Sequence, residues 1–325
     1  MNRIVAAGSG RMGCSMAIAF AYAGKTVDLL DLKIRDDADV TAHRDAITKE
    51  LNGHLGTLAR IGVLGESDVD RILARIRVHS RADAAPVLAT AELVLEGVPE
   101  RLEDKKQALE FLESGCSEHC VLASTTSSFL ATELAAFLKC PGRFLNAHWL
   151  NPAYVIPLVE LSPHPATDAA VTQSVFALLE QIGKTPVICQ PSPGYIVPRL
   201  QALVMNEAAR LVEEGVASAQ DVDKAVRLGF GMRYASMGLL EFVDFGGMDI
   251  LQLTSQYMAK TVDPNRYAMA GIVEKMMADG HDGVRSGRGF YDWSGKDVPA
   301  YRDQVVGRLA DLLRREGLMK PPAGD

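Results

Sequence analysis

The chain has 325 residues, enough for two domains of ordinary size or for one large domain with a helical appendix. Its composition, 48% hydrophobic and 23% charged, is that of a soluble globular protein with ample core material. A formal net charge of -7 argues against nucleic acid or an anionic membrane as the main partner, because neither attracts an acidic surface. No apolar run approaches the roughly 18 residues that cross a bilayer, so no membrane partner is expected.

Cysteine usage and the first residues indicate the compartment. The five cysteines are scattered and odd in number, which is typical of a reducing cytoplasm and not of a disulfide framework. The N-terminus, MNRIVAAGSGRMG, runs directly into a glycine loop, so a cleaved signal peptide is not expected. Cys116, His119 and Cys120 lie close in the chain, but no further pair with zinc-site spacing completes four ligands. We therefore predict a cytoplasmic protein without a metal site.

A strand, a glycine loop, a helix and a second strand follow one another at the N-terminus. The apolar segment from Arg3 to Ala7 leads into GSGRMG, the apolar helix CSMAIAFAYAG comes next, and the strand TVDLLDL closes on Asp31. In this order a G-x-G-x-x-G loop predicts dinucleotide binding. Gly8 permits the tight turn, Gly10 the close approach of a pyrophosphate, and Gly13 the close packing of helix on strand. A glycine-rich turn without a ligand is the alternative.

The acid at the end of the second strand indicates which dinucleotide is bound. Asp31 follows the loop at about the distance, roughly 20 residues, expected for the carboxylate that accepts hydrogen bonds from the adenosine ribose. A carboxylate repels a 2'-phosphate, so NAD is favoured over NADP. Lys33 and Arg35 weaken this preference, because either is long enough to reach a phosphate. The predicted cofactor-binding residues of this segment are Gly8, Gly10, Arg11, Met12, Gly13 and Asp31.

A cluster of hydroxyl side chains lies further along the same predicted unit. Residues 34–90 are predicted to be mostly charged helices, and AELVLEGVPE is a buried strand ending in Glu96 to Glu100, before the charged helix RLEDKKQALEFLES. The next strand, CVLAST, leads into hydroxyls from Ser124 to Ser128 at its carboxyl end, where ligands bind in an open parallel sheet. Ser127 or Ser128 is also expected to cap the helix FLATELAAFL.

His148 and Glu160 add an imidazole and a carboxylate to these hydroxyls. His148 lies between short apolar runs, and Glu160 ends the run YVIPLV. In a general-base site the carboxylate orients the imidazole and the imidazole takes a proton. The alternative is a capped helix followed by two strands whose histidine and glutamate only satisfy each other. The upstream dinucleotide site favours catalysis, because it supplies a hydride acceptor.

The composition changes after VICQPSPG, where Pro191, Pro193 and Gly194 mark a break. The segments YIVPRLQALVMNEAARLVEEG, AQDVDKAVRLGF and GLLEFVDFGGMDILQLTSQYM have apolar residues at helical spacing. The sequence thus predicts an α/β Rossmann-type domain with a mostly parallel sheet over residues 1–190 and an all-α domain over residues 191–325. The apolar stripes of these helices need a partner surface, and a second copy is a common one, so we expect a homodimer.

Several motifs, in family order and covering nearly the whole chain, resemble the L-3-hydroxyacyl-CoA dehydrogenase superfamily. They are GSGRMG, LVLEGVPERLEDKK, ASTTSS, AHWLNPAYVIPLVEL, PSPGYIVPRL, EAARLVEEGVAS with DVDKAV, and SGRGFYDWS. The resemblance implies an NAD-binding Rossmann domain that carries the catalytic residues, a helical C-terminal domain that dimerises, and a substrate cleft between them. It also implies reversible oxidation of an L-3-hydroxy group to a 3-keto group.

The resemblance assigns roles by position. His148 resembles the catalytic histidine and Glu160 its carboxylate partner, while Ser127 resembles the serine that hydrogen-bonds the substrate oxygen. Glu100 and Lys105 resemble residues that line the nicotinamide side of the cofactor. In the mechanism that follows, His148 removes the proton of a β-hydroxyl as hydride leaves the same carbon for the nicotinamide ring. Glu160 stabilises the resulting imidazolium, because an opposite charge favours the protonated form.

Departures from the family pattern concern the substrate. Pro198 and Thr125 stand where acyl-CoA members have asparagine, and lysines are missing around Arg60, which weakens attraction for the phosphates of CoA. The segment LGFGMRYASMGLLE is more similar to the λ-crystallin (L-gulonate 3-dehydrogenase) and carnitine 3-dehydrogenase branches, which oxidise free hydroxy acids. Arg233 within it is a candidate for binding a substrate carboxylate, with a bridge between helices or subunits as the alternative. SGRGFYDWS is instead the form usual in acyl-CoA members.

We therefore predict a cytoplasmic, homodimeric, NAD-dependent oxidoreductase that acts on the CH–OH group of a small 3-hydroxy acid, free or as a short-chain CoA thioester. The alternative is a crystallin-like structural protein, or a non-catalytic NAD-binding protein, on the same fold. A purely structural role would not require all of the predicted site to be intact, that is, the glycine loop, Asp31, Ser127, His148 and Glu160.

Overall fold

The computed structural model describes residues 1–320 and 322, and the chain divides into two compact units, Met1–Val204 and Met205–Asp325. The first unit is built on a β-sheet, and the described part of the second consists of helices and loops. The domain boundary between residues 190 and 191 stays a prediction.

One sheet runs through the first unit. Its strands are β1 (Ile4–Ala7), β2 (Val27–Leu30), β3 (Ile76–His79), β4 (Leu93–Glu96), β5 (Val121–Ser124), β6 (Phe144–Trp149), β7 (Leu158–Pro163) and β8 (Thr185–Ile188). Their order across the sheet is β3-β2-β1-β4-β5-β6-β7-β8. Neighbouring strands are parallel except β6 and β7, which are antiparallel.

Helices make up most of the remaining described chain. The connections of the sheet contain α1 (Arg11–Tyr22), α2 (Asp37–Arg60), α3 (Glu66–Leu73), α4 (Ala84–Ala89), α5 (Leu102–Gly115), α6 (Ala131–Ala135) and α7 (Ala169–Gln181). Beyond β8 follow α8 (Val197–Glu213), α9 (Ala219–Ala225), α10 (Met232–Ser236), α11 (Leu239–Gly246), α12 (Met248–Thr261), α13 (Gly271–Ala278) and α14 (Val298–Arg315). The predicted fold class, a Rossmann-type domain followed by a helical one, is confirmed.

Alternation along the strands divides the core of the first unit between the two faces of the sheet. Ile4 and Ala6 belong to one buried apolar cluster, whereas Val5 and Ala7 belong to another. Successive residues of a strand point to opposite faces, so both faces of the sheet are apolar. Parallel sheets covered by helices on both faces show this arrangement, and their strands are continuous apolar runs.

The sequence analysis missed the two strands at the edges of the sheet, β3 and β8. β3 has the sequence IRVH and is only partly buried, with Arg77 exposed. β8 contains Pro186, a residue that a sheet tolerates mainly at its edge. An edge strand lacks the continuous apolar run of a central one, so neither segment stands out by periodicity.

The sheet brings distant segments to one edge. The register pairs Ala7 with Leu30 and with Glu96, and Glu96 with Ser124, so the carboxyl ends of four parallel strands are level. The glycine loop, Asp31 and the hydroxyl cluster directly follow these ends. Among the described residues, no helix combines the length and the apolarity needed to cross a bilayer.

Candidate active site

The glycine loop connects β1 to α1 in a conformation that requires glycine. Gly8 has φ of 110°, and a Cβ atom placed there would lie 2.8 Å from the carbonyl oxygen of Gly97. A Cβ atom on Gly13 would lie 1.8 Å from the carbonyl oxygen of Gly8, so helix and loop pack too closely for any side chain. Gly10, the N-cap of α1, faces open space instead. This opening at a helix N-terminus fits the pyrophosphate of a dinucleotide.

The two residues between these glycines have different environments. Arg11 is exposed and lines a cavity of about 320 Å³ together with Gly8, Gly10 and Asp31. Met12 is partly buried, and its side chain packs against the apolar core. Of these two, therefore, only the Arg11 side chain faces the cavity.

Asp31 directly follows β2 and is held in place as an acceptor. Its Oδ2 accepts a hydrogen bond from Arg35 Nε at 2.6 Å, and its Oδ1 accepts one from the Ser9 hydroxyl at 3.1 Å. His43 Nε2, from α2, lies 3.5 Å from Oδ2. Burial alone would raise the pKa of Asp31, but hydrogen bonds from Arg35 and the Lys33 N–H lower it below its usual value. The carboxylate is therefore charged at neutral pH, as an acceptor for ribose hydroxyls must be.

A buried ion pair lies beneath the carboxyl ends of β4 and β5. Lys105 Nζ is 3.0 Å from Glu96 Oε1 and 3.3 Å from Glu100 Oε2, and both Lys105 and Glu96 are 1% exposed. Glu96 also accepts hydrogen bonds from the Val98 N–H and the Ser124 hydroxyl. Lys105 thus contacts two carboxylates at once, which compensates the cost of burying its charge.

The side-chain carboxylate of Glu100 binds the backbone of the hydroxyl cluster, at Ser127 and Ser128. One carboxylate oxygen accepts the N–H groups of Ser127 at 2.9 Å and Ser128 at 2.8 Å, and the Thr126 hydroxyl also donates to it. Burial raises the pKa of Glu100, but the hydrogen bond from Thr126 and the charge of Lys105 bring it below its usual value. Glu100 therefore fixes the backbone of the segment that carries the Ser127 hydroxyl.

His148 and Glu160 lie opposite each other on the antiparallel strands β6 and β7. His148 Nδ1 is 2.8 Å from Glu160 Oε2, and its Nε2 is 3.2 Å from the Ser127 hydroxyl oxygen. Both members of the pair are buried, at 4% and 0% exposure, whereas Ser127 is exposed. The carboxylate fixes the imidazole with a proton on Nδ1, which leaves Nε2 as a proton acceptor next to an accessible hydroxyl.

The second carboxylate oxygen of Glu160 is occupied by backbone. Oε1 accepts hydrogen bonds from the N–H groups of Ile196 and Val197, both at 2.9 Å. Burial would raise the pKa of Glu160, but the hydrogen bond from His148 and these two N–H groups lower it below its usual value. Glu160 is therefore charged over the whole neutral range.

Arg233 and Pro198 lie on helices that follow β8. The guanidinium of Arg233, on α10, lies 4.7 Å from the centre of the Phe242 ring on α11, within the second unit. Pro198 is in the first turn of α8, where a missing backbone N–H breaks no helical hydrogen bond.

Several residues at the site were missed by the sequence analysis. His43 reaches the glycine loop from the second turn of α2, with Nε2 2.8 Å from the Ser9 hydroxyl oxygen. Glu96 was identified only as the end of a strand, and Tyr195, whose ring stacks on His148, only as part of a helical segment. The acid within an apolar strand was a usable signal for Glu96, whereas no local pattern marks His43. Among the described residues, no cluster of His, Cys, Asp and Glu could hold a metal ion.

Two family models match the chain in succession. The model for the 3-hydroxyacyl-CoA dehydrogenase NAD binding domain matches residues 3–192. The model for the 3-hydroxyacyl-CoA dehydrogenase C-terminal domain matches residues 194–293. Between them the two models cover most of the chain.

Individual relatives extend the similarity along both units. A probable 3-hydroxybutyryl-CoA dehydrogenase of Bacillus subtilis (strain 168) is 32% identical over 296 residues, which is 91% of this chain and 99% of that protein. A lambda-crystallin homolog of Bos taurus is 36% identical over 257 residues, 78% of this chain and 77% of that protein. Among solved structures, a 3-hydroxyacyl-CoA dehydrogenase from Archaeoglobus fulgidus has a TM-score of 0.76 at 29% identity, covering 98% of this chain and 100% of that one.

Proposed function

The chain belongs to the 3-hydroxyacyl-CoA dehydrogenase family, and from this premise we propose that His148, Glu160 and Ser127 form its catalytic site. Membership confirms the resemblance predicted from the motifs, including the similarity to lambda-crystallin. The protein is an NAD-dependent oxidoreductase that oxidises a 3-hydroxyacyl group to the 3-keto form. The predicted cofactor, NAD, is likewise confirmed by the match to the NAD-binding domain.

The observation that carries the proposed site is the orientation of His148. Its Nδ1 lies against the buried Glu160 carboxylate at 2.8 Å, and its Nε2 lies 3.2 Å from the Ser127 hydroxyl. A histidine that only satisfied a buried glutamate would not need its second nitrogen beside an accessible hydroxyl. This geometry suits a general base that takes a proton from an oxygen placed next to Ser127.

In the proposed reaction, His148 Nε2 accepts the proton of the substrate 3-hydroxyl group, and the carbon that bears this hydroxyl loses a hydride. NAD, when bound, supplies the nicotinamide ring that accepts the hydride. Glu160, held ionised by its three hydrogen bonds, stabilises the imidazolium that forms. The Ser127 hydroxyl hydrogen-bonds the substrate oxygen and keeps it within reach of Nε2. In the reverse direction the imidazolium returns the proton to the keto oxygen.

We place the cofactor along the carboxyl ends of β1, β2 and β4. The open backbone at Gly10 receives the pyrophosphate, and Asp31 accepts hydrogen bonds from the ribose hydroxyls. Glu100 lies at the nicotinamide side, and Lys105 acts there through its ion pair with Glu100. The complete proposed cofactor set is Gly8, Gly10, Arg11, Met12, Gly13, Asp31, Glu100 and Lys105.

The substrate is proposed to be a small 3-hydroxy acid, either free or as a short-chain CoA thioester. The name of the Bacillus subtilis relative supports the thioester. The free acid is supported by the departures from the acyl-CoA pattern at Pro198, at Thr125 and around Arg60. For a free acid, Arg233 is the proposed carboxylate partner, because its guanidinium can donate two parallel hydrogen bonds to the two carboxylate oxygens while its face packs on Phe242.

A homodimer and a cytoplasmic location complete the proposal. Apolar side chains on helices of the second unit are exposed, among them Ile250, Leu253 and Tyr257 on α12 and Ile272 on α13. Contiguous exposed apolar surface is typical of a subunit interface. All five cysteines, which lie within the described residues, are free thiols, and a reducing compartment preserves that state.

The catalytic assignment is tested by His148→Gln. The variant should lower turnover by about two orders of magnitude or more, the scale of a positioned base, while NAD affinity stays the same. His119→Gln is the matched control, because His119 is 89% exposed on a loop and should leave turnover unchanged. Turnover near wild type in His148→Gln would remove His148 from the mechanism.

The substrate class is tested by following NADH formation with a panel of 3-hydroxy acids and their CoA esters. A higher kcat/KM for the free acids, lost in Arg233→Gln, supports the free-acid assignment of Arg233. A higher kcat/KM for the esters assigns the chain to thioesters. Turnover with neither series would favour a crystallin-like or non-catalytic NAD-binding protein.

A further inference from the structure

A short turn before α8 is strained at one residue. Tyr195 has φ of 46°, and among the described residues no other non-glycine residue has a positive φ. A bulky side chain in the left-handed region costs on the order of 1 kcal/mol, and such conformations persist when the surrounding contacts enforce them. The contacts of Tyr195 therefore indicate what the strain serves.

The ring of Tyr195 lies flat against the imidazole of His148. The two ring centres are 4.9 Å apart, and their planes are within 6° of parallel. Tyr195 is 6% exposed, so its ring covers one face of the imidazole and keeps water from it. Rotation of the imidazole about its χ2 angle would drive its edge into the tyrosine ring. The stack therefore confines the imidazole to one plane.

The hydroxyl of Tyr195 fixes this ring from its far end. It donates a hydrogen bond to the backbone oxygen of Thr126 and accepts one from Asn146 Nδ2, both at 2.9 Å. Asn146 is fully buried on β6, two residues before His148, and Thr126 directly precedes Ser127. One tyrosine thus connects the strand that carries His148 with the segment that carries Ser127.

The backbone that follows Tyr195 binds Glu160, the carboxylate partner of His148. The N–H groups of Ile196 and Val197 donate to Glu160 Oε1, while Oε2 of the same carboxylate faces His148 Nδ1. A positive φ at Tyr195 allows its ring to face the imidazole while these two N–H groups face the carboxylate. The same turn therefore contacts both His148 and Glu160.

We propose that Tyr195 is a positioning residue for His148: its stacked ring and its two-point hydroxyl anchor keep Nε2 directed at the oxygen that Ser127 holds. The inference rests on the proposed role of His148 as the base. Tyr195 touches neither the reacting atoms nor the proton, and acts only through the orientation of the imidazole. Removing the ring therefore lowers kcat and leaves the affinity for NAD unchanged.

The test is a double-mutant cycle between Tyr195→Leu and His148→Gln. Tyr195→Leu should lower kcat by about tenfold to a hundredfold, the scale of a misplaced catalytic group, with the KM for NAD within about twofold of wild type. In the His148→Gln background the same substitution should have no further effect, because the group that it positions is gone. A residue needed only for folding would lower the rate by the same factor in both backgrounds.

Tyr195→Phe separates the ring from its anchor. It keeps the stack and loses both hydroxyl hydrogen bonds, so kcat should fall by only a few fold. In the His148→Gln background it should again have no effect. If Tyr195→Leu does not fold, Tyr195→Phe replaces it in the double-mutant cycle.

Tyr154→Leu is the matched control, because it removes a ring that packs on His54 at 5.4 Å, and its kcat should stay within about twofold of wild type.

The outcomes are separable. Wild-type kcat in Tyr195→Leu, or equal losses in both backgrounds, would overturn the positioning role and leave the proposed base in place. Wild-type turnover in His148→Gln would overturn the proposed base itself, and the inference with it.

Discussion

The two units of this chain bury their apolar residues to very different degrees. In the first unit, every residue of the central strands β1, β4, β5 and β6 is buried. In the second unit, α14 contains no buried residue over its full length, and the only buried residue of α12 is Met248. A sheet with helices on both faces encloses its own core, whereas amphipathic helices need a further apolar surface.

The second unit is held together in part by polar contacts. Asp244, 1% exposed, accepts hydrogen bonds from the N–H groups of Phe290 and Tyr291 and from the indole N–H of Trp293. Gly283 has φ of 72°, and a Cβ atom there would lie 2.2 Å from the Asp244 carbonyl oxygen. The glycine and aromatic turn near the end of the chain therefore closes around one carboxylate.

The largest effect on stability is expected from the core of the first unit. Leu145→Ala, at a fully buried position of β6, should lower the free energy of unfolding by about 2–5 kcal/mol, because it leaves a cavity in a close-packed core. Val306→Ala on α14, where the side chain is 58% exposed, should change it by less than about 0.5 kcal/mol. Urea unfolding of both variants measures this contrast. Equal losses would mean that α14 is covered in solution.

A smaller effect, on assembly, is expected from the exposed face of the second unit. Leu253→Asp places a charge on an apolar side chain that is 62% exposed, and it should weaken the proposed dimer by about tenfold or more. Ile34→Asp is the control, because Ile34 is 88% exposed but belongs to the first unit. Sedimentation over a range of concentrations should show dissociation only for Leu253→Asp. An unchanged oligomeric state in both variants would place the interface away from α12.

The smallest effect is expected on how the free energy of unfolding changes as the pH falls. The folded-state pKa of Glu160 is below its unfolded value of about 4.3, so its contribution to stability is complete above that pH and is lost as the pH falls through the folded value. Glu160→Gln should therefore flatten the loss of unfolding free energy below about pH 4.3. Asp249→Asn, at a carboxylate that Arg285 stabilises on the surface of the second unit, should flatten it less because solvent screens that pair. Urea unfolding from pH 7 downward measures both slopes.

Local patterns were enough to predict the central strands and the approach of His148 to Glu160. The segment after β4 contains contacts that local sequence patterns do not predict. Lys105 was expected beside the cofactor, but its nearest partner is the buried Glu96, which also contacts Ser124. A periodic pattern predicts neither contact, because the first depends on how α5 packs against β4 and the second on the register between β4 and β5.

The sequence by itself determined the family, the cofactor and the reaction type, because these depend on motifs whose residues are close together. The glycine loop is an example: a Cβ atom on Gly13 would lie 1.8 Å from the carbonyl oxygen of Gly8, within the same short motif. Only the tertiary structure decided how the hydroxyl, imidazole and carboxylate are held. Tyr195 reaches Thr126 across 69 positions of the chain and stacks on the histidine between them. Such contacts arise when strands pair and the turn before α8 packs against them, and no sequence spacing encodes them.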